Sequence, residues 1–195
     1  FTNNTGGITP YNVVLSEISE AKSDWVNYKN GLIDKGGYLA TSNNPSTVLM
    51  FGDSTIKVFF PRIENQFHKG LVKEVAFVTR GMCAPLPNAY RHEKSYGADC
   101  KDNFAKFRKA LAENPIETVI LGGSYLSYFD GGEPSVFVDT DGRRIPLVSK
   151  IGKKKVFDAF LEFINGLSEQ YEVVILSPAP RSDNFSPIRI MYGPK

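Results

Sequence analysis

The stretch Val48-Leu49-Met50-Phe51-Gly52-Asp53-Ser54 decides the fold, because an apolar, β-rich run ends there in a glycine, an acidic residue and a serine. A helix-compatible stretch follows over residues 55–60. Glycine permits a tight turn, and a serine at the start of a helix has nearby backbone N–H groups that can stabilise an oxyanion. The pattern predicts a strand, a sharp turn and a helix, with Ser54 at the junction as a candidate nucleophile.

Ser54 also has a purely structural interpretation. Serine and aspartate are preferred at the N-cap of a helix, where their side chains accept hydrogen bonds from otherwise unpaired backbone N–H groups. Gly-Asp-Ser arises by chance in on the order of one chain in twenty of this length. The surroundings of the tripeptide must therefore decide between a cap and a nucleophile.

Four apolar runs in the chain are typical of buried strands. They lie at residues 47–51, 74–79, 118–121 and 172–176. Between them, apolar side chains recur at helical spacing over residues 103–111 and 156–167. Strands that alternate with helices form a parallel sheet, so the sequence predicts an α/β fold.

The residues that directly follow each predicted strand are the candidate site. In open parallel sheets, ligands bind outside the carboxyl ends of the strands. The four segments found there are rich in small and turn-forming residues, and they occupy positions 52–55, 80–83, 122–125 and 177–180.

The regions outside this pattern are less regular. Residues 1–44, with an amphipathic piece over residues 13–25, are interpreted as a leading segment packed on the domain, which we place at residues 45–195. Residues 130–150 carry Asp-Gly and Gly-Gly pairs that predict a long loop or a small hairpin. The chain starts at Phe1 and stops shortly after the fourth strand, so we expect an excised piece of a longer protein.

Composition narrows the class of partner. The 195 residues carry a formal charge of only +2, and basic residues cluster in one place, residues 150–155, so nucleic acid is not the expected partner. That cluster is typical of a solvated helix start, and it can alternatively face anionic lipid headgroups or an acidic glycan. No apolar stretch reaches the length needed to span a bilayer.

The two cysteines, Cys83 and Cys100, flank a polar segment that contains proline. A disulfide that closes this loop and a pair of buried free thiols both fit the spacing, because spacing does not reveal the redox state.

Gly52-Asp53-Ser54 directly after the first strand resembles block I of the SGNH hydrolase superfamily. The order of segments is most similar to the extracytoplasmic SGNH domain fused to bacterial membrane acyltransferases of acyltransferase family three. The resemblance covers residues 45–190. Its supporting features are Pro61, Gly81-Met82-Cys83-Ala84-Pro85, Cys100 before a helix, Thr118-Val119-Ile120-Leu121-Gly122-Gly123-Ser124-Tyr125 and Val173-Val174-Ile175-Leu176-Ser177-Pro178-Ala179-Pro180.

The resemblance implies a three-layer α/β/α, flavodoxin-like fold with a central parallel sheet and Ser54 as the nucleophile. It further implies an oxyanion hole formed by the backbone N–H groups of Ser54 and Gly81, with Ser124 as third donor. It also implies a disulfide between Cys83 and Cys100. The site-lining residues it suggests are Asp53, Thr55 and Tyr125.

The sequence departs from the SGNH pattern in two places. The third block of the superfamily carries an asparagine, whereas the loop here reads Gly122-Gly123-Ser124-Tyr125. The superfamily takes its catalytic base from an Asp-x-x-His block, which this chain lacks. Either the chain stops before that block, or the domain is degenerate and binds an acyl group or glycan without turning it over. His68 and His92 are the other candidate bases.

Two aromatic residues near the third strand, Tyr125 and Tyr128, suit either stacking on sugar rings or a place in the core. The glycines before them lack the spacing of a phosphate-binding loop, and no cofactor or metal is expected.

The function that the resemblance implies is an O-acetyltransferase module. An integral-membrane acyltransferase domain, outside this sequence but on the same full-length chain, would deliver the acetyl group. Ser54 would pass it to a hydroxyl of a surface polysaccharide on the periplasmic face of the bacterial inner membrane. An SGNH carbohydrate esterase and a non-catalytic glycan-binding domain are the alternatives.

Overall fold

A five-stranded sheet forms the centre of the computed structural model, which describes residues 38–91, 94–129 and 135–176. All of these residues belong to one compact unit. The sheet has the order β1-β3-β2-β5-β8, and its only antiparallel pair in the described residues is β1 with β3. The strands are β1 (Tyr38–Ala40), β2 (Val48–Gly52), β3 (Val75–Thr79), β5 (Thr118–Gly122) and β8 (Glu172–Leu176). The predicted parallel sheet is confirmed.

Helices lie between the parallel strands along the chain, as the sequence predicts. They are α1 (Ser54–Lys57), α2 (Phe60–His68), α3 (Lys94–Glu113), α4 (Tyr125–Phe129) and α5 (Lys150–Ser168). Each of the two predicted long helices forms the later part of a longer one. The hydroxyl of Ser149 accepts a hydrogen bond from the N–H of Gly152 at 2.9 Å, so α5 starts well before its apolar spacing becomes regular.

The two faces of the sheet pack against different helices. On one face, Phe51 stacks on Phe107 of α3 with ring centroids 4.2 Å apart. Strand alternation turns Phe77 to the other face, where it meets Phe60 of α2 at 5.1 Å. The arrangement is a mixed α/β fold with a central, mostly parallel sheet flanked by helices, as expected for an SGNH domain.

A second, three-stranded antiparallel sheet lies outside the predicted strands. It consists of β4 (Ala89–Arg91), β6 (Ser135–Val138) and β7 (Arg144–Pro146), in the order β4-β6-β7. Strands β6 and β7 form a hairpin, which agrees with one of the two alternatives for residues 130–150. Its turn is organised by the carboxylate of Asp139, which accepts hydrogen bonds from the N–H groups of Asp141 and Arg143 at 3.2 and 2.9 Å.

Strand β1 lies inside the predicted leading segment, where it pairs with the edge of β3. The amphipathic piece over residues 13–25 lies outside the described residues. Within the described ranges, no helix has the length and apolar character that crossing a membrane requires.

The chain order of the strands fixes where a site can form. From β2 the chain proceeds to β3 on one side, and later to β5 on the other side of β2. The carboxyl ends of β2 and β5 therefore flank the point where the winding direction reverses, and a crevice opens there in doubly wound sheets.

Candidate active site

Ser54 is the first residue of α1 and directly follows the carboxyl end of β2. The N-cap is Asp53, whose Oδ1 accepts a hydrogen bond from the Thr55 N–H at 2.8 Å. The interpretation of Ser54 as the cap is therefore wrong, because the carboxylate one residue earlier takes that position. Ser54 lies half-buried in the first turn, where the backbone N–H groups of a helix lack partners within the helix.

Asp53 joins the loops that follow β2 and β5. Its carboxylate is 2 % exposed and divides its two oxygens between the loops. Oδ1 accepts from the N–H and the hydroxyl of Thr55 at 2.8 and 2.6 Å. Oδ2 accepts from the N–H of Ser124 and the hydroxyl of Tyr128, both at 2.9 Å. The two bonds from Thr55 lie within the turn, whereas the two bonds to Oδ2 reach across to the β5 loop.

Glycines bring these two loops close together. A Cβ on Gly52 would lie 1.7 Å from the carbonyl oxygen of Gly122, and a Cβ on Gly122 would lie 2.3 Å from Cδ1 of Ile56 in α1. Only glycine at both positions lets Ile56 bury itself over the paired strand ends. Gly123 is less tightly enclosed, since a Cβ there would lie 3.0 Å from Cδ of Pro85.

Gly81 lies in the turn that follows β3. The turn closes with a hydrogen bond from the Cys83 N–H to the Arg80 carbonyl at 3.2 Å, and Met82 takes the left-handed conformation with φ of 67°. The N–H of Arg80 also donates to the carbonyl of Gly52 at 3.1 Å, which ties the turn to the end of β2. Among the described residues, none accepts a hydrogen bond from the peptide N–H of Gly81 or of Ser54.

The disulfide between Cys83 and Cys100 is present, with Cα atoms 5.2 Å apart. The pairing that the resemblance implies is confirmed. An ion pair between Arg80 and Asp99 lies beside it, so two adjacent links fasten the Gly81 turn to α3.

Ser124 lies in the loop that follows β5 and reaches the site through its peptide N–H. Its peptide N–H donates to Asp53, so that group is already directed at a carboxylate. The prediction of Ser124 as third oxyanion donor therefore concerns its hydroxyl and not its peptide N–H.

The rings of Tyr125 and Tyr128 are buried, with exposures of 8 % and 7 %, so stacking on sugar rings is ruled out for both. Tyr125 stacks on Phe129 with centroids 5.8 Å apart, and within the described part of the chain its hydroxyl has no hydrogen-bond partner. Burial, and then the charge of Asp53, raise the pKa of this hydroxyl above its ordinary range. Tyr125 therefore lies beneath the site and stays neutral.

Sequence reasoning missed the bond between Tyr128 and Asp53. A usable signal was present, because Tyr128 lies four residues after Ser124, and residues at that spacing point to the same side of a helix. Helix α4 starts at Tyr125. The hydroxyl of Tyr128 therefore reaches the same Asp53 oxygen as the N–H of Ser124.

The two histidines have different positions. His68 is the exposed last residue of α2, and the chain returns from there to the amino end of β3. It therefore lies at the end of α2 from which the chain leads to the amino end of β3, whereas Ser54 follows the carboxyl end of β2. A five-residue strand separates its two ends by about 16 Å. His92 lies outside the described residues.

The basic cluster at residues 150–155 forms the exposed start of α5, where Lys154 pairs with Asp158 and Lys155 with Asp139.

No group of three or more potential metal ligands occurs in residues 38–91, 94–129 and 135–176.

Comparison with known proteins gives a family and a structural likeness. Residues 22–193 match the family model described as "SGNH domain (fused to AT3 domains)". A similar solved structure is the periplasmic domain of the lipopolysaccharide acetyltransferase of Salmonella ser. Paratyphi A, with 16% identity and a TM-score of 0.47. The alignment covers 89% of this chain and 60% of that one, less than two thirds of its length. No curated protein sequence matches the chain.

Proposed function

The chain belongs to the family of SGNH domains that are fused to AT3 domains, and from this premise we propose that Ser54 is the nucleophile of an acetyl-transfer site. The observation that carries the proposal is the position of Ser54. It opens α1 after the carboxyl end of β2, where the winding direction of the sheet reverses between β2 and β5, and the Gly81 turn is tied to the same strand end. The backbone N–H groups of Ser54 and Gly81 are suited to an acyl oxygen that becomes negatively charged.

The proposed acetyl transfer has two steps, acylation of Ser54 and transfer of the acetyl group to the acceptor. The Ser54 oxygen attacks the acetyl carbonyl carbon, loses its proton to a base, and the donor's leaving group departs with a proton. An acceptor hydroxyl then attacks the acetyl-serine carbonyl, and its proton passes through the base to the departing Ser54 oxygen. In the first tetrahedral intermediate and in the second, the N–H groups of Ser54 and Gly81 and the hydroxyl of Ser124 stabilise the oxyanion.

The acceptor and the location are part of the same proposal, which the fusion of this family to AT3 domains supports. A membrane acyltransferase domain supplies the acetyl group, and a hydroxyl of a bacterial surface polysaccharide receives it. The site then lies on the periplasmic face of the inner membrane. The disulfide between Cys83 and Cys100 supports this location, because such bonds persist in oxidising compartments.

Two candidates are proposed for the base that accepts the Ser54 proton: His92, and the histidine of an Asp-x-x-His block such as the SGNH superfamily uses. Intact-mass spectrometry after exposure to an activated acetyl ester or a serine-reactive phosphonate tests the nucleophile. We expect an adduct on the wild-type chain, none on Ser54→Ala, and an unchanged adduct on Ser168→Ala, which alters an exposed serine at the end of α5.

Two results would oppose the proposal in different ways. An adduct that survives in Ser54→Ala would place the reactive serine elsewhere. A wild-type chain that stays unmodified, both alone and joined to its AT3 domain, would favour the non-catalytic glycan-binding alternative.

A further inference from the structure

Tyr128 is a buried residue whose hydroxyl donates to a carboxylate at the proposed site. We propose that Tyr128 is a positioning residue: through Asp53 it holds the Ser124 loop at the place where Ser124 and the Ser54 turn face the same acyl oxygen. The proposal rests on the proposed function, since it needs Ser54 to be the nucleophile. Tyr128 itself does not touch the acyl group.

The division of the Asp53 oxygens carries the argument. Both bonds to Oδ1 come from Thr55, in the same turn as Ser54. Both bonds to Oδ2 come from the β5 side, one from the peptide N–H of Ser124 and one from Tyr128. The orientation of one carboxylate therefore sets the position of one loop relative to the other.

Tyr128 is the side-chain donor on the Oδ2 side, and without it the carboxylate would keep two donors on one oxygen and one on the other. With one donor fewer on Oδ2, the carboxylate is held less tightly against rotation about its Cβ–Cγ bond. A Cβ added to Gly123 would lie 3.4 Å from Oδ2, so little space separates this oxygen from the loop. The N–H of Ser124 donates to the same oxygen at 2.9 Å, so a rotation of the carboxylate displaces the acceptor of that bond.

The charge of Asp53 strengthens the argument. Within the described ranges, no lysine or arginine pairs with this buried carboxylate, so neutral donors alone stabilise it. Hydrogen bonds to a charged acceptor are stronger than those between neutral groups, and their geometry is correspondingly well defined. A tyrosine hydroxyl suits this task, because its rigid ring fixes the donor once the ring is packed.

The test compares the acylation kinetics of Tyr128→Phe with those of the wild-type chain. Phenylalanine keeps the ring in the core and removes only the donor. We expect the maximal rate of Ser54 acylation to fall by about 10–100-fold, because a shift of about 1 Å in a catalytic group costs that order of magnitude. The reagent concentration at half-maximal rate and the final adduct stoichiometry should stay unchanged.

The stoichiometry separates positioning from loss of structure. A variant that is partly unfolded would lose adduct at the end of the reaction, whereas a mispositioned loop slows a reaction that still goes to completion. Tyr171→Phe is the matched control, since Tyr171 is a partly buried tyrosine at the amino end of β8, on the far edge of the sheet.

A second variant keeps the test decisive if Tyr128→Phe does not fold. In Tyr128→3,5-difluorotyrosine the ring and hydroxyl remain, but the hydroxyl ionises at a lower pH than tyrosine does. Above that pH, a phenolate would repel the Asp53 carboxylate, so we expect the maximal acylation rate to fall there in this variant only.

The outcomes distinguish the two proposals. Equal maximal rates for Tyr128→Phe and wild type, or a pH profile that fluorination does not shift, would overturn the role of Tyr128 and leave Ser54 as the nucleophile. A Ser54 that reacts neither in the chain alone nor in the chain joined to its AT3 domain would overturn the proposed function and the positioning role together.

Discussion

Gly52 and Gly122 face each other where β2 and β5 end, and a methyl group on Gly52 would overlap the carbonyl oxygen of Gly122. Backbone cannot move aside as a flexible side chain can. We therefore expect Gly52→Ala to lower the free energy of unfolding by roughly 3 kcal/mol or more, at the upper end of overpacking costs. Urea unfolding followed by circular dichroism would measure the change.

Gly166→Ala is the control for that substitution. Gly166 lies inside α5, and a Cβ there meets nothing within 4 Å. Alanine is a better helix former, so this variant should gain about 0.5–1 kcal/mol. Similar losses in both variants would mean that the close approach of Gly52 to Gly122 is not what restricts position 52.

The Tyr125 hydroxyl gives a prediction on alkaline stability. Burial and the charge of Asp53 raise its pKa in the folded state, so the folded chain holds this proton more tightly than the unfolded chain. The contribution of the Tyr125 hydroxyl to the free energy of unfolding is fully present below the pKa of about 10 that tyrosine has in the unfolded chain. It is lost as the pH rises beyond that value. Tyr125→Phe should lose less stability than wild type between pH 8 and pH 11 in urea unfolding.

Stability near neutral pH provides the internal check on Tyr125. Its hydroxyl has no partner in the described part of the chain, so removing it should leave the neutral-pH free energy of unfolding unchanged or slightly raised. An unaltered alkaline slope would show that the hydroxyl titrates normally in the folded chain.

At the scale of elements, the turn after β3 depends on its links to α3. The disulfide closes a loop with a sequence separation of 17 residues, for which chain entropy gives about 3 kcal/mol. Cys83→Ser combined with Cys100→Ser should cost about this much in thermal or urea unfolding, and the looser Gly81 turn should slow Ser54 acylation.

The neighbouring ion pair supplies the comparison. The Arg80 and Asp99 side chains are 44 % and 41 % exposed, and exposed pairs contribute between 0 and about 1 kcal/mol. Arg80→Ala should therefore have a much smaller effect on unfolding. If it matched the loss of the disulfide, the attachment of the turn would rest on charge instead of the covalent link.

The boundaries of elements were predictable where apolar spacing continues to the end of the element. The predicted helix at residues 156–167 begins at Val156, its first buried apolar residue, whereas α5 begins at Lys150 because the Ser149 cap supports an exposed, lysine-rich first turn. Strand β4 has only three residues, too few to display an alternating pattern.

At the scale of the whole molecule, the length of the strands separates groups at their carboxyl ends from groups at their amino ends. Ser54 lies at the carboxyl end and His68 near the amino end. We expect His68→Ala to leave the rate of Ser54 acylation within about two-fold of wild type, since a general base must lie within hydrogen-bonding distance. A loss of 100-fold or more in the acylation rate would mean that His68 lies within reach of Ser54 and not near the amino ends of the strands.

The sequence was sufficient to predict the parallel sheet and the position of Ser54 at a strand end. It was also sufficient to predict the function class that the family resemblance implies. It was not sufficient for the contacts around Asp53, because Ser124 and Tyr128 lie 71 and 75 residues away along the chain. Local patterns show where a strand ends, but the neighbours of that end depend on strand order. The assignment of Ser54 and Gly81 to catalysis stays a prediction.

The central place of β2 also affects how the chain folds during synthesis. Strand β2 pairs with β3 soon after it is made, but its other partner, β5, follows about 70 residues later. At typical rates of translation that delay is about 4–14 s. Both cysteines are made within it, so the disulfide can fix the Gly81 turn while β2 still waits for its second neighbour.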